Sequence, residues 1–341
     1  LGPILTGLVG QNSPPARKLY EDGIAIARRQ PMEDQSRWFP IYWGWWLTGS
    51  DFRIMHDRAL QVQAMLAGVE DPEIRLQVNH CIWAIDFNLG NHRETQDAIK
   101  AGLALYDEQS ARTSRTLFGG HDAKVCGLGQ LALSLWLTGQ SKASDTSLSK
   151  MVAFADRIAH APSKAHSLDT EAVSAFYRDD YGRLTDVSSR MADFAKLHDM
   201  QSLSGLSLLF AGWAHAHGES LDSGHAMFGE GLSLLRSLGA VADLPIYLYM
   251  HATLLGLAGK FELAVEVTND AIEKARETGH AYWLAELYRR RAVLCARVNT
   301  SRDPIVADLR SAMEIAERQG AKALLRRARR SIQELGVAGQ C

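Results

Sequence analysis

Among the side chains of this 341-residue sequence that could do chemistry, His121, Asp122 and Cys126 bring imidazole, carboxylate and thiol closest together. These are donor types that a transition metal accepts, but two ligands sharing one helix face stand three or four residues apart. His121 and Cys126 are five apart, no second pair of suitable spacing accompanies them, and Asp122 reads as a helix N-cap. No metal is expected. A phosphate-binding loop fails on similar grounds. Around Gly259-Lys260 the first glycine position is Leu254 and the hydroxyl position is Phe261, so neither the amide cradle nor the magnesium ligand is available. No serine lies in Gly-x-Ser-x-Gly and no His-Glu-x-x-His occurs. Cys81, Cys126, Cys295 and Cys341 are far apart with no Cys-x-x-Cys pair. The expectation is a chain without catalytic residues or cofactor, and not an enzyme.

Binding is the remaining class. With 37 basic and 39 acidic side chains the net charge is −2, which gives no general field toward nucleic acid or an anionic membrane. A partner must be recognised locally. Apolar residues make up 46% and charged residues 22%, enough for a packed core. No stretch reaches the roughly 18 apolar residues of a membrane span. The N-terminal Leu-Gly-Pro-Ile-Leu has no basic region ahead of an apolar one, so a cut end is expected there rather than a signal peptide, and the four dispersed cysteines fit a reducing cytoplasm.

The elements that must position a binding site repeat along the chain. Turns centred on Gly10, Gly49, Gly90, Gly139, Gly218 and Gly259 are separated by 39, 41, 49, 79 and 41 residues, and the longest gap divides at Asp179-Asp180-Tyr181-Gly182. Asn299 continues the series. Each turn follows an apolar segment and precedes an amphipathic one, the pattern of a helical hairpin. After Gly259, Phe261, Ala264, Val265, Thr268, Ala271, Ile272 and Ala275 form one stripe, while Glu262, Glu266, Asp270, Glu273 and Lys274 face away. Before Gly139 the segment is apolar nearly all round, as a helix packed between layers requires. Alternating β-branched runs are absent. The sequence therefore predicts an all-α chain, an α-solenoid of tetratricopeptide-like (TPR) hairpins wound into a right-handed superhelix. Residues 1–341 read as a single domain of about eight hairpins, with a final helix from about Lys322 to Leu335. Asp303 is expected as an N-cap with Pro304 at the first helical position, and 107–120 as a loop between hairpins.

The stretch from Gly120-His121-Asp122 to Leu137-Thr138-Gly139 resembles the C-terminal TPR-like region of large bacterial signalling proteins, which join it to a nucleotide cyclase domain and an AAA-type ATPase or to a winged-helix regulator. Further matches follow in the same order: Phe39-Pro40-Ile41-Tyr42-Trp43-Gly44-Trp45-Trp46, Gly102-Leu103-Ala104-Leu105-Tyr106-Asp107, Trp283-Leu284-Ala285-Glu286-Leu287-Tyr288-Arg289 and Gly320-Ala321-Lys322. The resemblance implies a regulatory or scaffolding arm. The cyclase and ATPase domains themselves have no counterpart in this sequence.

Candidate binding residues come from the inner helices. Tyr42, Trp45 and Trp46 share a face as core residues would. Glu286 and Arg290 form an i,i+4 pair, and Arg291 falls on an apolar stripe where a charge needs either a partner or a route to water. Lys322, Arg326, Arg329 and Arg330 make a basic stripe with Arg327 beside it, the polar outer face of a capping helix or a dock for an acidic segment. Because stacked hairpins set inner helices side by side, Tyr247, His251, Glu286, Arg290 and Arg291 are the expected partner-binding residues. The expected partner is a protein or peptide, such as a cyclase, ATPase or DNA-binding domain of the same pathway; the alternative is a small effector held in the concave groove.

Overall fold

The computed structural model describes residues 14–118, 120–240, 243–298 and 301–337, so the turns expected at Gly10 and Asn299 lie outside the described residues. Over the described residues the chain is helical and contains no strand. The helices are α1 (Pro14–Ala27), α2 (Phe39–Leu47), α3 (Phe52–Met65), α4 (Pro72–Leu89), α5 (His92–Leu103), α6 (Glu108–Leu117), α7 (Ala123–Leu137), α8 (Ser141–Ile158) and α9 (Ala161–Tyr177). They continue as α10 (Tyr181–His198), α11 (Gln201–Gly218), α12 (Leu221–Ser237), α13 (Leu244–Leu257), α14 (Phe261–Thr278), α15 (Leu284–Cys295), α16 (Arg302–Arg318) and α17 (Lys322–Glu334). A 3-10 turn, Met32–Trp38, precedes α2.

Short polar residues start many of these helices. The carboxylates of Asp51, Asp71, Asp107, Asp122 and Asp180 accept from backbone N–H groups of the first turn, satisfying donors that have no partner inside the helix. Residues with a left-handed backbone end them, in two interleaved series. Gly90, Gly139, Asp179 and Gly259 turn the chain from an inner helix to an outer one, as the sequence spacing predicts. Ala159, Asp199, Gly239, Gly279 and Gly320 turn it back, at intervals of 40, 40, 40 and 41 residues. That second series is hidden in the sequence because Ala159 and Asp199 accept a left-handed conformation costing about 1 kcal/mol each, where glycine would be the obvious signal.

Helices α4, α7, α9, α11, α13 and α15 contact one another in order along the inner layer, each paired with an outer helix, and α17 closes the end. The result is an all-α solenoid of TPR-like hairpins in a right-handed superhelix. Within the hairpin of α11 and α12 the two backbones nearly touch: a Cβ on Gly212 would lie 2.4 Å from Phe228 N, and one on Gly224 would lie 2.3 Å from Ala216 N. One apolar cluster runs from Phe87 on α4 to Ala328 on α17. Phe39, Tyr42, Trp43, Trp45 and Trp46 are buried in a second cluster, as core packing requires.

Two expectations need correction. Residues 107–120 are not a loop: 108–117 form α6, capped by Asp107, whose carboxylate accepts from Ser110 N. Its far end is anchored where the Phe118 ring packs 5.0 Å from Phe39 and 5.4 Å from Trp43, and that burial outweighs the weak apolar pattern of the segment. The start of α16 lies two residues earlier than expected, with Ser301 as N-cap and Asp303 and Pro304 inside the first turn. Proline is tolerated there because first-turn N–H groups need no intrahelical acceptor.

The superhelix is wound tightly enough for early and late repeats to touch. Arg53 on α3 donates to the carbonyls of Arg276 and Glu277 at 2.8 and 2.6 Å, across 224 residues in the second case. Ala281 N donates to Asn88 O at 2.7 Å, and Gln319 Nε2 to Ala281 O at 2.8 Å. Aromatic rings from distant repeats also meet, with Tyr177 stacked on Trp283 at 4.7 Å and Phe87 against Tyr282 at 4.7 Å.

Candidate partner-binding site

On α15, Glu286, Arg289 and Arg290 occupy one face because they are three and four residues apart. Glu286 is 1% exposed, a costly place for a carboxylate without compensation. Compensation is abundant. Arg289 grips it with two nitrogens, Nε to Oε2 at 2.8 Å and Nη2 to Oε1 at 2.6 Å. Tyr249 on α13 donates its hydroxyl to Oε1 at 3.0 Å, and Arg327 on α17 approaches the same oxygen at 3.3 Å. Burial alone would raise the Glu286 pKa, but Arg289 and Arg327 outweigh it and hold the group at about 2. The same carboxylate raises the pKa of Arg289 against the effect of burial.

Around this buried pair the site opens to solvent. Arg327 also donates to Tyr177 O at 2.7 Å and to Asp179 at 3.0 Å, and its guanidinium lies 5.5 Å from the Trp136 ring and 5.8 Å from that of Trp283. Arg290 lies 5.3 Å from the Tyr249 ring centre and donates to its hydroxyl at 3.3 Å. Its Nε is buried without a hydrogen-bond partner, and it forms no salt bridge among the described residues. Three guanidiniums thus face two carboxylates, Glu286 and Asp179. The surplus positive charge lies among aromatic faces between the end of α9 and the middle turns of α13, α15 and α17, a composition suited to a carboxylate or another acidic group.

Of the five residues expected from the sequence, Glu286 and Arg290 come together here, though the salt bridges of Glu286 are with Arg289 and Arg327 and not with Arg290. Arg291, one position on, turns to the other side of α15. It donates to both oxygens of Asp308 at 2.7 and 2.6 Å and to Asn269 at 2.9 Å, tying α15 to outer helices α16 and α14. His251 packs toward α12, 5.3 Å from the His225 ring and 6.0 Å from Phe228, and burial, reinforced by His225 and Arg236, lowers its pKa to about 4. Tyr247 is buried, with its pKa raised by burial and by Asp243 and Asp169, on a different face of α13 from Tyr249. Tyr249 and Asp179 are absent from the sequence-based set, and Arg327 enters it only beside the basic stripe of α17. The available signal was the repeat interval: Tyr249 lies 37 residues before Glu286 and Arg327 lies 41 after it.

Asp122 does cap α7, accepting from Lys124 N at 2.9 Å. Its neighbours His121 and Cys126 converge with His80, from one repeat earlier.

No protein-family model matches the chain. It is 74% identical over 337 residues to an uncharacterised protein of Rhizobium meliloti, covering 99% of this chain and 33% of that protein, so the chain spans about a third of the length of its relative. Among solved structures it is similar to a Rap protein complexed with Competence and Sporulation Factor, with a TM-score of 0.63 and 12% identity over 88% of this chain and 84% of the other. It is similar also to NprR in complex with its cognate peptide NprX, with a TM-score of 0.59 and 12% identity over 98% and 96% of the two chains. At that identity the likeness is one of fold: the chain is a TPR-like helical repeat structure. Among the described residues no helix is long and apolar enough to cross a membrane.

Proposed function

We propose that the chain is a non-catalytic, cytoplasmic regulatory arm of a longer bacterial signalling protein, and that Arg290, Arg327 and Tyr249 hold an acidic group of a protein or peptide partner. The observation that carries this reading is the unbalanced charge of the site. Arg290 is positioned over Tyr249 without a carboxylate of its own, beside a Glu286 already shared by Arg289 and Arg327. A partner carboxylate would complete the set, and an arginine with an aromatic neighbour is the usual composition of a binding anchor. The likeness in fold to a Rap protein and to NprR, each solved with a bound factor or peptide, supports a stack of this shape as a platform for such a partner. Because the chain spans a third of its relative, the remaining two thirds leave room for the cyclase, AAA ATPase or winged-helix domains that the sequence resemblance implies.

Calorimetric titration of this chain with the rest of the longer protein, expressed separately, and with acidic peptides tests the reading. Arg290→Ala is expected to weaken binding by about 1–3 kcal/mol while circular dichroism is unchanged. Equal affinity of the variant and the native chain would refute it. A second reading, a sensor of a small effector, is favoured by a cavity of about 810 Å³ bordered by His121, His166, Asp169, Met200, Leu203 and Leu206. Thermal stabilisation by a small molecule, abolished by Leu206→Trp, would support that reading over the first.

A further inference from the structure

We propose that His80, His121 and Cys126 form a binding site for a borderline-soft divalent metal ion of the zinc type. The three ligand atoms, from the middle of α4, the turn before α7 and the first turn of α7, lie within 4.8 Å of one another. Two imidazoles and a thiol are the donors such an ion takes, whereas calcium and magnesium take oxygen. A tetrahedral zinc site sets its ligand atoms about 3.4–3.6 Å apart, so closing this set requires a contraction of roughly 1 Å.

The surroundings prepare His80 for the role. Gln77 donates its amide nitrogen to Glu73 at 2.8 Å, which turns its oxygen toward His80 Nδ1 at 3.1 Å. That oxygen can only accept, so Nδ1 carries the hydrogen and Nε2 the free lone pair, the arrangement by which an outer amide or carboxylate orients a metal-binding histidine. Trp83 stacks on the ring at 4.8 Å and holds its plane. On the other side His166 stacks on His121 at 4.4 Å, its Nε2 buried with no hydrogen-bond partner. The cavity of about 810 Å³ that borders His121 and His166 supplies an entry path.

Neutral imidazole is the ligating form. Metal entry forms the Sγ–metal bond and breaks the S–H bond, releasing one proton to solvent without any change of oxidation state. Affinity therefore rises with pH.

Titration of the metal-depleted chain with Co²⁺ tests the assignment. One equivalent is expected to bring the visible bands of a tetrahedral site together with a thiolate-to-cobalt charge-transfer band, both abolished by excess Zn²⁺. Cys126→Ser should remove the charge-transfer band, Gln77→Ala should weaken binding roughly ten- to a hundredfold, and Cys81→Ser should change neither. A charge-transfer band that survives Cys126→Ser would overturn the proposal. So would the absence of stoichiometric Zn²⁺ binding to the native chain in competition with a chromophoric chelator, a measurement that stands even if the variants fold poorly.

Discussion

Replacing Glu286 by glutamine removes one charge and almost no volume, and its cost follows from the geometry. The carboxylate is held at about 2 against an ordinary value of 4.5, although burial alone would have moved it the other way. That difference corresponds to about 3 kcal/mol of folding free energy at neutral pH. It agrees with the roughly 3–5 kcal/mol lost when one partner of a buried pair is removed, since Arg289 and Arg327 would be left facing each other without their common anion. Because the folded-state pKa is depressed, the contribution is fully present above pH 4.5 and is lost as the pH falls toward 2. Urea denaturation of the native chain and Glu286→Gln should therefore differ by about 3 kcal/mol at pH 7, with the gap closing through that acid window. His92, His166 and His251, held neutral with pKa values of about 4, 3 and 4, also make the fold acid-labile, but they do so equally in both proteins. The difference between the two isolates Glu286. A gap below about 0.5 kcal/mol at pH 7, within the range of ordinary surface substitutions, or one that does not narrow in acid, would refute the reasoning.

Arg291→Ala should lower stability by about 1–3 kcal/mol through loss of its bonds to Asp308, while leaving partner affinity untouched, the reverse of Arg290→Ala, and calorimetry with denaturation on both variants checks the contrast. Asp169 has a pKa of about 7, raised by burial and by Asp243, so native stability is lost as the pH rises from 3.8 to 7. Asp169→Asn should be more stable than the native chain at pH 8 and should lose that advantage near pH 4, as thermal melts at the two pH values would show. Gly224→Ala places a Cβ 2.3 Å from the Ala216 backbone, so α11 and α12 must part, and denaturation midpoints should report a loss of about 1–3 kcal/mol.

What the sequence determines by itself is local: which stretches are helical, where glycine or a short polar residue ends or caps them, and that a forty-residue unit repeats. These rest on interactions within a few residues, so Asp122 as a cap and α17 from Lys322 were legible. α6 was not, because its stability comes from Phe118 packing on Phe39 and Trp43, far back in the chain. The sites were legible only in part. Glu286 and Arg290 share a helix face that periodicity reveals, but Tyr249, Asp179 and Arg327 join them only because inner helices of successive repeats lie side by side and α17 folds back on α7, beside the end of α9. His121 and Cys126 have the wrong spacing for a metal pair along one helix. His80 supplies the missing donor from the neighbouring repeat, 41 residues earlier, where spacing along the chain no longer measures distance. The tight winding that brings Arg53 to Glu277 is likewise a sum of small rotations between hairpins, set by side-chain packing in each layer and only visible once the layers are stacked.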